Sequence, residues 1–146
     1  MTKYVSIDPG KCKCGVIFAD FKSKRVLQAI VIESRYLVQN IKTFIQQDKN
    51  IKVLIGNGTT SNQHVKSLSS LEINLTIVEE KNTTFRSRQR YFEIFPIKGM
   101  KRFLPRDIFL QNINLDAVSA LVILEDYLNC KFTLNCDRLS KTWMKQ

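Results

Sequence analysis

The sequence predicts one α/β domain whose sheet opens as an antiparallel three-strand meander and continues with parallel strands, flanked by helices. Three observations predict it. Apolar runs rich in β-branched residues at 3–8, 15–21 and 25–33 follow one another across short polar links, the spacing of consecutive antiparallel strands. Two further runs, 51–55 and 75–79, alternate with stretches of helical period, which makes a strand–helix–strand–helix–strand unit with parallel strands. A length of 146 residues suits one domain with a real core.

Each element has a local cause. Tyr4, Val5 and Ile7 favour a buried strand, and Pro9-Gly10 ends it in a tight turn. Gly15 opens the run Val16-Ile17-Phe18-Ala19, Lys22-Ser23-Lys24 makes a polar turn, and Val and Ile fill 25–33. Ser34 can cap a helix whose apolar face is Leu37, Val38, Ile41, Phe44 and Ile45, and Asp48-Lys49-Asn50 ends it. The continuous apolar run 51–55 suits a strand buried on both faces. Gly56 to Ser61 leads into a weaker helix through Val65, Leu68 and Leu71. Thr83 or Thr84 starts another, with Phe85, Tyr91, Phe92 and Phe95 as its apolar members, until Pro96 and Gly99 break it. No period is clean over 96–112, which reads as a mobile basic loop with at most a short turn. The last helix, about 114–128, is apolar all round at Leu121 to Leu124 and should pack deeply. The domain therefore spans 1–128, and 129–146 is a weakly specified tail.

With 23 Lys and Arg against 13 Asp and Glu, the net charge of +10 should attract phosphates. An AT-rich genome also yields Lys-, Asn- and Ile-rich chains, but here the charge is clustered. No charged leader precedes an apolar core of ~7–15 residues, and no stretch approaches the ~20 apolar residues that span a bilayer. The expectation is a soluble protein without membrane partners, cytoplasmic, or in the plastid stroma if organelle-encoded. Cys12 and Cys14 have one residue between them, Cys130 and Cys136 five; structural zinc pairs have two to four, so free thiols fit better.

Three carboxylates occupy comparable places. Asp8 is delivered by an apolar run into the Pro9-Gly10 turn, Glu80 follows the run 75–79, and Asp116 opens the apolar stretch that ends at Leu128. A buried carboxylate is costly unless paired, hydrogen-bonded or metal-bound. Singly, each has an ordinary reading: a turn acid, a solvated strand-end charge, a favourable charge at a helix N-terminus. Jointly, in a basic chain, they point to a shared metal site acting on a polyanion.

These residues carry a resemblance. Asp8-Pro9-Gly10 with Gly15, Val78-Glu79-Glu80-Lys81 followed by Thr83-Thr84, and Asp116-Ala117-Val118-Ser119-Ala120 ending in Glu125-Asp126-Tyr127-Leu128 are similar, in this order, to the motifs of the YqgF/RuvX family. That family comprises nucleases of ribosomal RNA precursors and Holliday junction resolvases of ribonuclease H-like fold. Gly56 to Ser61 and the insert 95–105 resemble its cyanobacterial and plastid branch. The resemblance covers about 3–128. Glu79 stands where the family often has Asp, a position that is not normally a ligand, and Ser119 where many relatives have a smaller residue.

The resemblance implies a ribonuclease H-like, five-stranded mixed sheet and a hydrolase in which Asp8, Glu80 and Asp116 are both catalytic and metal-ligating. The cofactor would be Mg²⁺ or Mn²⁺, hard ions that prefer carboxylate oxygen. A two-ion site needs no side-chain base, so the lone His64, expected on a surface helix, stays outside the mechanism. For the substrate, Lys81, Arg86, Arg88, Arg90, Lys98, Lys101, Arg102 and Arg106 face only Glu93 between positions 81 and 106. From these, Lys81, Arg86, Arg90 and Arg102 are the candidate phosphate contacts, with Arg86 and Arg90 sharing a helix face. Tyr91, Phe92, Phe95 and Phe103 interleave with the charges and could stack bases, although core packing is the commoner use. The loop residues Gly58, Thr59 and Thr60 could present N–H groups and hydroxyls to a phosphate. The partner is nucleic acid, RNA favoured over a DNA junction, with a ribosome precursor as the natural setting and a monomer or homodimer as the working unit. A resolvase would need two-fold presentation of two sites; a non-catalytic RNA- or ribosome-binding module would need no metal at all.

Overall fold

The computed structural model describes residues 2–110 and 114–135. The strands are β1 (Lys3–Asp8), β2 (Lys13–Asp20), β3 (Arg25–Glu33), β4 (Lys52–Gly56) and β5 (Asn74–Val78). They form one sheet in the order β3-β2-β1-β4-β5. β1 pairs antiparallel with β2, and β2 with β3, while β4 runs parallel to both β1 and β5. This is the antiparallel meander followed by parallel strands that the ribonuclease H-like reading requires, with β1 at the centre.

The helices are α1 (Leu37–Gln47), α2 (Ser61–Ser69), α3 (Thr83–Ile94), α4 (Arg106–Leu110) and α5 (Asp116–Leu128). Ser34 does not cap α1; Ser34–Tyr36 forms a 3-10 turn that leads into it, and the Ser34 hydroxyl bonds elsewhere. Strand alternation divides the core in two. Val5, Ile7, Val16, Phe18, Val53 and Ile55 pack on one face with Leu37, Ile41 and Phe44 of α1 and Leu68 of α2. Tyr4, Ile17, Ala19 and Leu54 pack on the other with α3 and α5. As the continuous run predicts, Val53, Leu54 and Ile55 are all buried. α5 is buried from Ala117 through Glu125 except at half-buried Ser119, whose hydroxyl shares a 2.8 Å hydrogen bond with the Ser87 hydroxyl of α3.

Two expectations change. Phe85 is exposed and contributes nothing to the α3 core face, which Ser87, Tyr91 and Phe92 form instead. Of the segment 96–112, read as a loop, 96–110 holds a 3-10 turn at Gly99–Phe103 and the short α4, and 111–112 lie outside the described residues. Beyond Leu128, Phe132 is buried in the α5-side core, and Thr133 exchanges backbone hydrogen bonds with Lys24 and Val26. Cys12, Cys14 and Cys130 are free thiols; Cys136 and the rest of the tail lie outside the described residues.

Candidate active site

Asp8 is the last residue of the central strand, and its neighbours on both sides are glycines. Gly15 of β2 stands opposite it in register. On the other side Ile7 pairs with Ile55, which places Gly56 one step further along β4. Each glycine leaves space that another acid fills. A methyl group on Gly15 would sit 1.9 Å from the backbone oxygen of Asp116, so only glycine lets the start of α5 lie against the start of β2. A methyl group on Gly56 would sit 1.7 Å from Glu80 Oε1, so the Glu80 side chain folds back over the end of β4. Three elements remote in sequence thus deliver carboxylates to one end of the sheet.

Further hydrogen bonds hold them there. The Asn57 side-chain oxygen accepts from the Glu80 backbone N–H at 2.8 Å, and the Asn57 N–H bonds to Val78 O at 3.0 Å. Asn114 Oδ1 accepts from the Asp116 N–H at 2.9 Å. After Glu80 the chain turns through Asn82 with φ of 53°, a left-handed conformation that Asn tolerates, and enters α3. The Pro9 carbonyl accepts from the Thr60 hydroxyl at 3.1 Å, and the Gly10 carbonyl accepts from the Ser34 hydroxyl at 2.8 Å and from His64 Nε2 at 2.9 Å. His64 is therefore a buried fastening for the turn after Asp8, with its Nε2 protonated to donate, and not the surface residue expected.

The electrostatics are those of crowded acids. Burial pushes the Asp8 carboxyl up from 3.8 to about 7, with further contributions from Glu80 and then Asp116. Burial also raises Glu80, against a hydrogen bond from the Gly58 N–H. It raises Asp116 too, against a hydrogen bond from the Asn114 side chain to the carboxylate and the nearby Lys13 charge. Glu80 Oε1 is buried with no hydrogen-bond partner. An orphaned, desolvated carboxylate oxygen is costly, and a hard divalent cation is the partner that suits it. In kind, this donor set fits Mg²⁺ or Mn²⁺. In spacing it is looser: among the described residues, no group of three His, Cys, Asp or Glu stands close enough to hold one ion. Binding would have to draw the carboxylates inward.

The expected substrate contacts divide. Lys81 pairs with Glu79 at 3.4 Å, both well exposed, a contact weak enough to yield to a phosphate. Arg102 is exposed and donates to Gly99 O at 3.2 Å. Thr59 is exposed and Gly58 half-buried, whereas the Thr60 hydroxyl is committed to Pro9. Arg86 and Arg90 do not stand free. Arg86 makes a bidentate pair with Asp126 of α5. Arg90 donates to Glu125 at 3.0 and 2.8 Å, to Glu93 at 3.1 Å and to Phe132 O at 2.9 Å, while Glu125 Oε1 also accepts from the Phe132 N–H at 2.9 Å. Both arginines tie α3 to α5. Their α5 partners lie beyond position 106, outside the basic segment whose charge balance suggested a phosphate-binding face. Lys13 escaped notice for the opposite reason: it lies far from that segment in sequence, yet the fold sets it beside Asp116.

Arg90 and Glu125 are 13% and 9% exposed, so removing one partner strands the other in a poor dielectric. Arg90→Ala is expected to destabilise the fold by about 3–5 kcal/mol, read as a lower urea midpoint at unchanged slope. A loss below about 1 kcal/mol, the range of a surface pair, would contradict a structural role.

No family model matches the chain, and neither does any curated protein. One similar solved structure is that of T. thermophilus RuvC in complex with Holliday junction substrate, with a TM-score of 0.46 and 10% sequence identity, covering 91% of this chain and 100% of that one. A likeness of that size says nothing about ligand or reaction. The ribonuclease H-like assignment stands on the strand order and directions of the sheet itself.

Proposed function

We propose that this chain is a divalent-metal-dependent nuclease acting on structured nucleic acid, with ribosomal RNA precursor as the favoured substrate. The observation that carries the reading is the end of β1. Asp8 lies between two glycines that admit Glu80 and Asp116, and all three acids have raised proton affinity. Acids whose proton affinity is raised by burial and by one another are concentrated at functional sites.

Asp8, Glu80 and Asp116 would hold Mg²⁺ or Mn²⁺, which when bound supplies an activated water and a counter-charge for the leaving oxygen. The protein's own part is positional. Ser34, His64 and Thr60 fix the turn carrying Asp8, and Asn57 fixes the backbone of Glu80. Lys13, Lys81 and Arg102, with the Gly58 and Thr59 loop, would meet a phosphate backbone. Among the described residues His64 hydrogen-bonds to Gly10 and Cys14 and to none of the three acids, which suits a structural role.

A second reading, a nucleic-acid-binding module without catalysis, is favoured by one observation: the spacing of the acids, too loose to close on an ion as they stand. Cleavage assays separate the two. Labelled ribosomal precursor, single strands and four-way junctions are incubated with Mg²⁺, Mn²⁺ or EDTA. Metal-dependent cuts in the precursor are expected; junction cuts in symmetric pairs would move the substrate to DNA. Binding without cleavage under either metal would leave only the module.

A further inference from the structure

Every residue from 98 to 108 is exposed, and this stretch carries two apolar side chains that the proposed reaction does not use. Met100 and Phe103 are 87% and 85% exposed. They stand three apart in the 3-10 turn Gly99–Phe103. With three residues per turn, side chains three apart eclipse one another, so the two form a single apolar edge. Lys101 and Arg102 occupy the other two edges of the turn. Gly99 starts it at φ of 71°, a left-handed conformation that favours glycine. Arg102 Nε donates to Gly99 O at 3.2 Å, and the Leu104 N–H donates to Lys101 O at 3.1 Å. Two contacts hold the following helix against α3: Arg88 pairs with Asp107 at 3.4 Å, and the Arg106 guanidinium sits over the Phe92 ring at 5.2 Å from its centroid. From 94 to 106 the chain carries four cations and no acid.

We infer that Met100 and Phe103 form a wedge that enters a nucleic acid helix where its stacking is already broken, at a bulge or branch, with Lys98, Lys101 and Arg102 on the phosphates around it. The inference rests on the nuclease reading for its choice of nucleic acid as partner, and adds which places on that partner the protein engages. Charge complementarity selects the occupant. An apolar edge with cations on both sides calls for an apolar layer flanked by anions. Base faces between two phosphate backbones have that arrangement, and apolar side chains, Phe and Met among them, are used elsewhere to part base steps. Parting a step costs least where pairing is already lost, so the wedge selects structure and not sequence. An anionic lipid surface offers similar layers, but binding there scales with the apolar area that sinks in, and two side chains offer little of it. The cations alone would hold any duplex; the edge between them supplies the preference.

The test uses the full chain in EDTA, so that nothing is cleaved. Two RNA hairpins share one sequence, except that one is fully paired and the other carries a two-nucleotide bulge in its stem. The bulged hairpin should bind about 5- to 150-fold more tightly, the range that stacking of one base on a ring commands. Met100→Ser with Phe103→Ser should abolish that preference and leave the paired hairpin's affinity unchanged; both side chains are exposed, so the fold is not at stake. Lys98→Gln with Lys101→Gln should weaken both hairpins alike and reduce the salt slope by about 0.7–0.9 for each phosphate left without its cation. Equal affinity of the parent for the two hairpins, or a preference that survives in the double serine variant, would overturn the inference while leaving the nuclease reading intact. A Phe103-dependent preference in a protein that cuts neither hairpin under Mg²⁺ or Mn²⁺ would do the reverse. Phe103-dependent binding to phosphatidylserine-containing vesicles, with no preference between hairpins, would also overturn it and assign the edge to a lipid surface.

Discussion

Asp8→Asn is expected to lower metal-dependent cleavage by about 10²–10³-fold or more, the scale lost when a preorganised charge is removed from a reacting centre, and at the same time to make the metal-free protein more stable. The two effects have one cause. Asn keeps the shape of the side chain but removes the charge that would hold and bridge divalent ions. It also removes the charge that the fold pushes up to about 7 from 3.8. The sign follows from proton counting. Between about 4 and about 7 the native state keeps a proton that the unfolded chain has released, so this group makes stability fall as pH rises, until the native carboxyl also ionises. The parent is penalised most above pH 7 and not at all below pH 4. The variant should therefore gain stability at pH 8, by up to about 4 kcal/mol, and show no gain near pH 4. Thermal melts in EDTA across that range measure it. Adding Mg²⁺ should then raise the parent's midpoint and leave the variant's nearly unmoved, because a ligand stabilises only the state that binds it. A folded Asp8→Asn protein that cleaves normally would remove Asp8 from the catalytic site.

What the sequence made legible is what local pattern controls. The runs at 3–8 and 25–33 became strands with those bounds, and the double-sided burial of β4 followed from its unbroken apolar string. The gathering of Asp8 with Glu80 and Asp116 was legible only through motif order, since 72 positions separate the first two. Pair identities were not legible at all. Arg86 and Arg90 sit in a basic stretch that looks like a phosphate-binding face, and their acids arrive from α5 only once the chain is folded. His64 lies in a weakly patterned helix, and the carbonyl it bonds belongs to a turn 54 positions earlier. The Ser119 hydroxyl is matched by Ser87 across the α3–α5 contact, another partnership that no local window contains. The roles of Gly15 and Gly56 were hidden similarly, because a missing side chain matters only for what fills its space.

Those two glycines give the sharpest separation of site from scaffold. Both substitutions to Ala place a methyl group inside another atom's radius, yet what each meets is different. At Gly56 the obstacle is the end of a flexible side chain, Glu80 Oε1 at 1.7 Å and Cδ at 2.6 Å, followed by Ile123 Cδ1 at 2.9 Å. Glu80 can swing away, and in doing so it escapes a burial that raises its pKa and leaves Oε1 unpartnered. Gly56→Ala should therefore cost little stability, within about 1 kcal/mol, while displacing one carboxylate and cutting cleavage by about 10²–10³-fold. At Gly15 the obstacle is backbone: Asp116 O at 1.9 Å, its carbonyl carbon at 2.1 Å and the Ala117 N at 2.7 Å. No rotamer relieves that clash. The start of α5 must lift from β2, and α5 is buried from Ala117 to Glu125, save at Ser119, against the sheet. Gly15→Ala should cost about 3 kcal/mol or more, beyond ordinary overpacking, and lose cleavage with it. Urea melts and cleavage rates measured on both variants decide the matter. Equal destabilisation by the two would mean that Glu80 is a structural wedge at the end of β4. Full cleavage by a folded Gly56→Ala protein would remove Glu80 from the site.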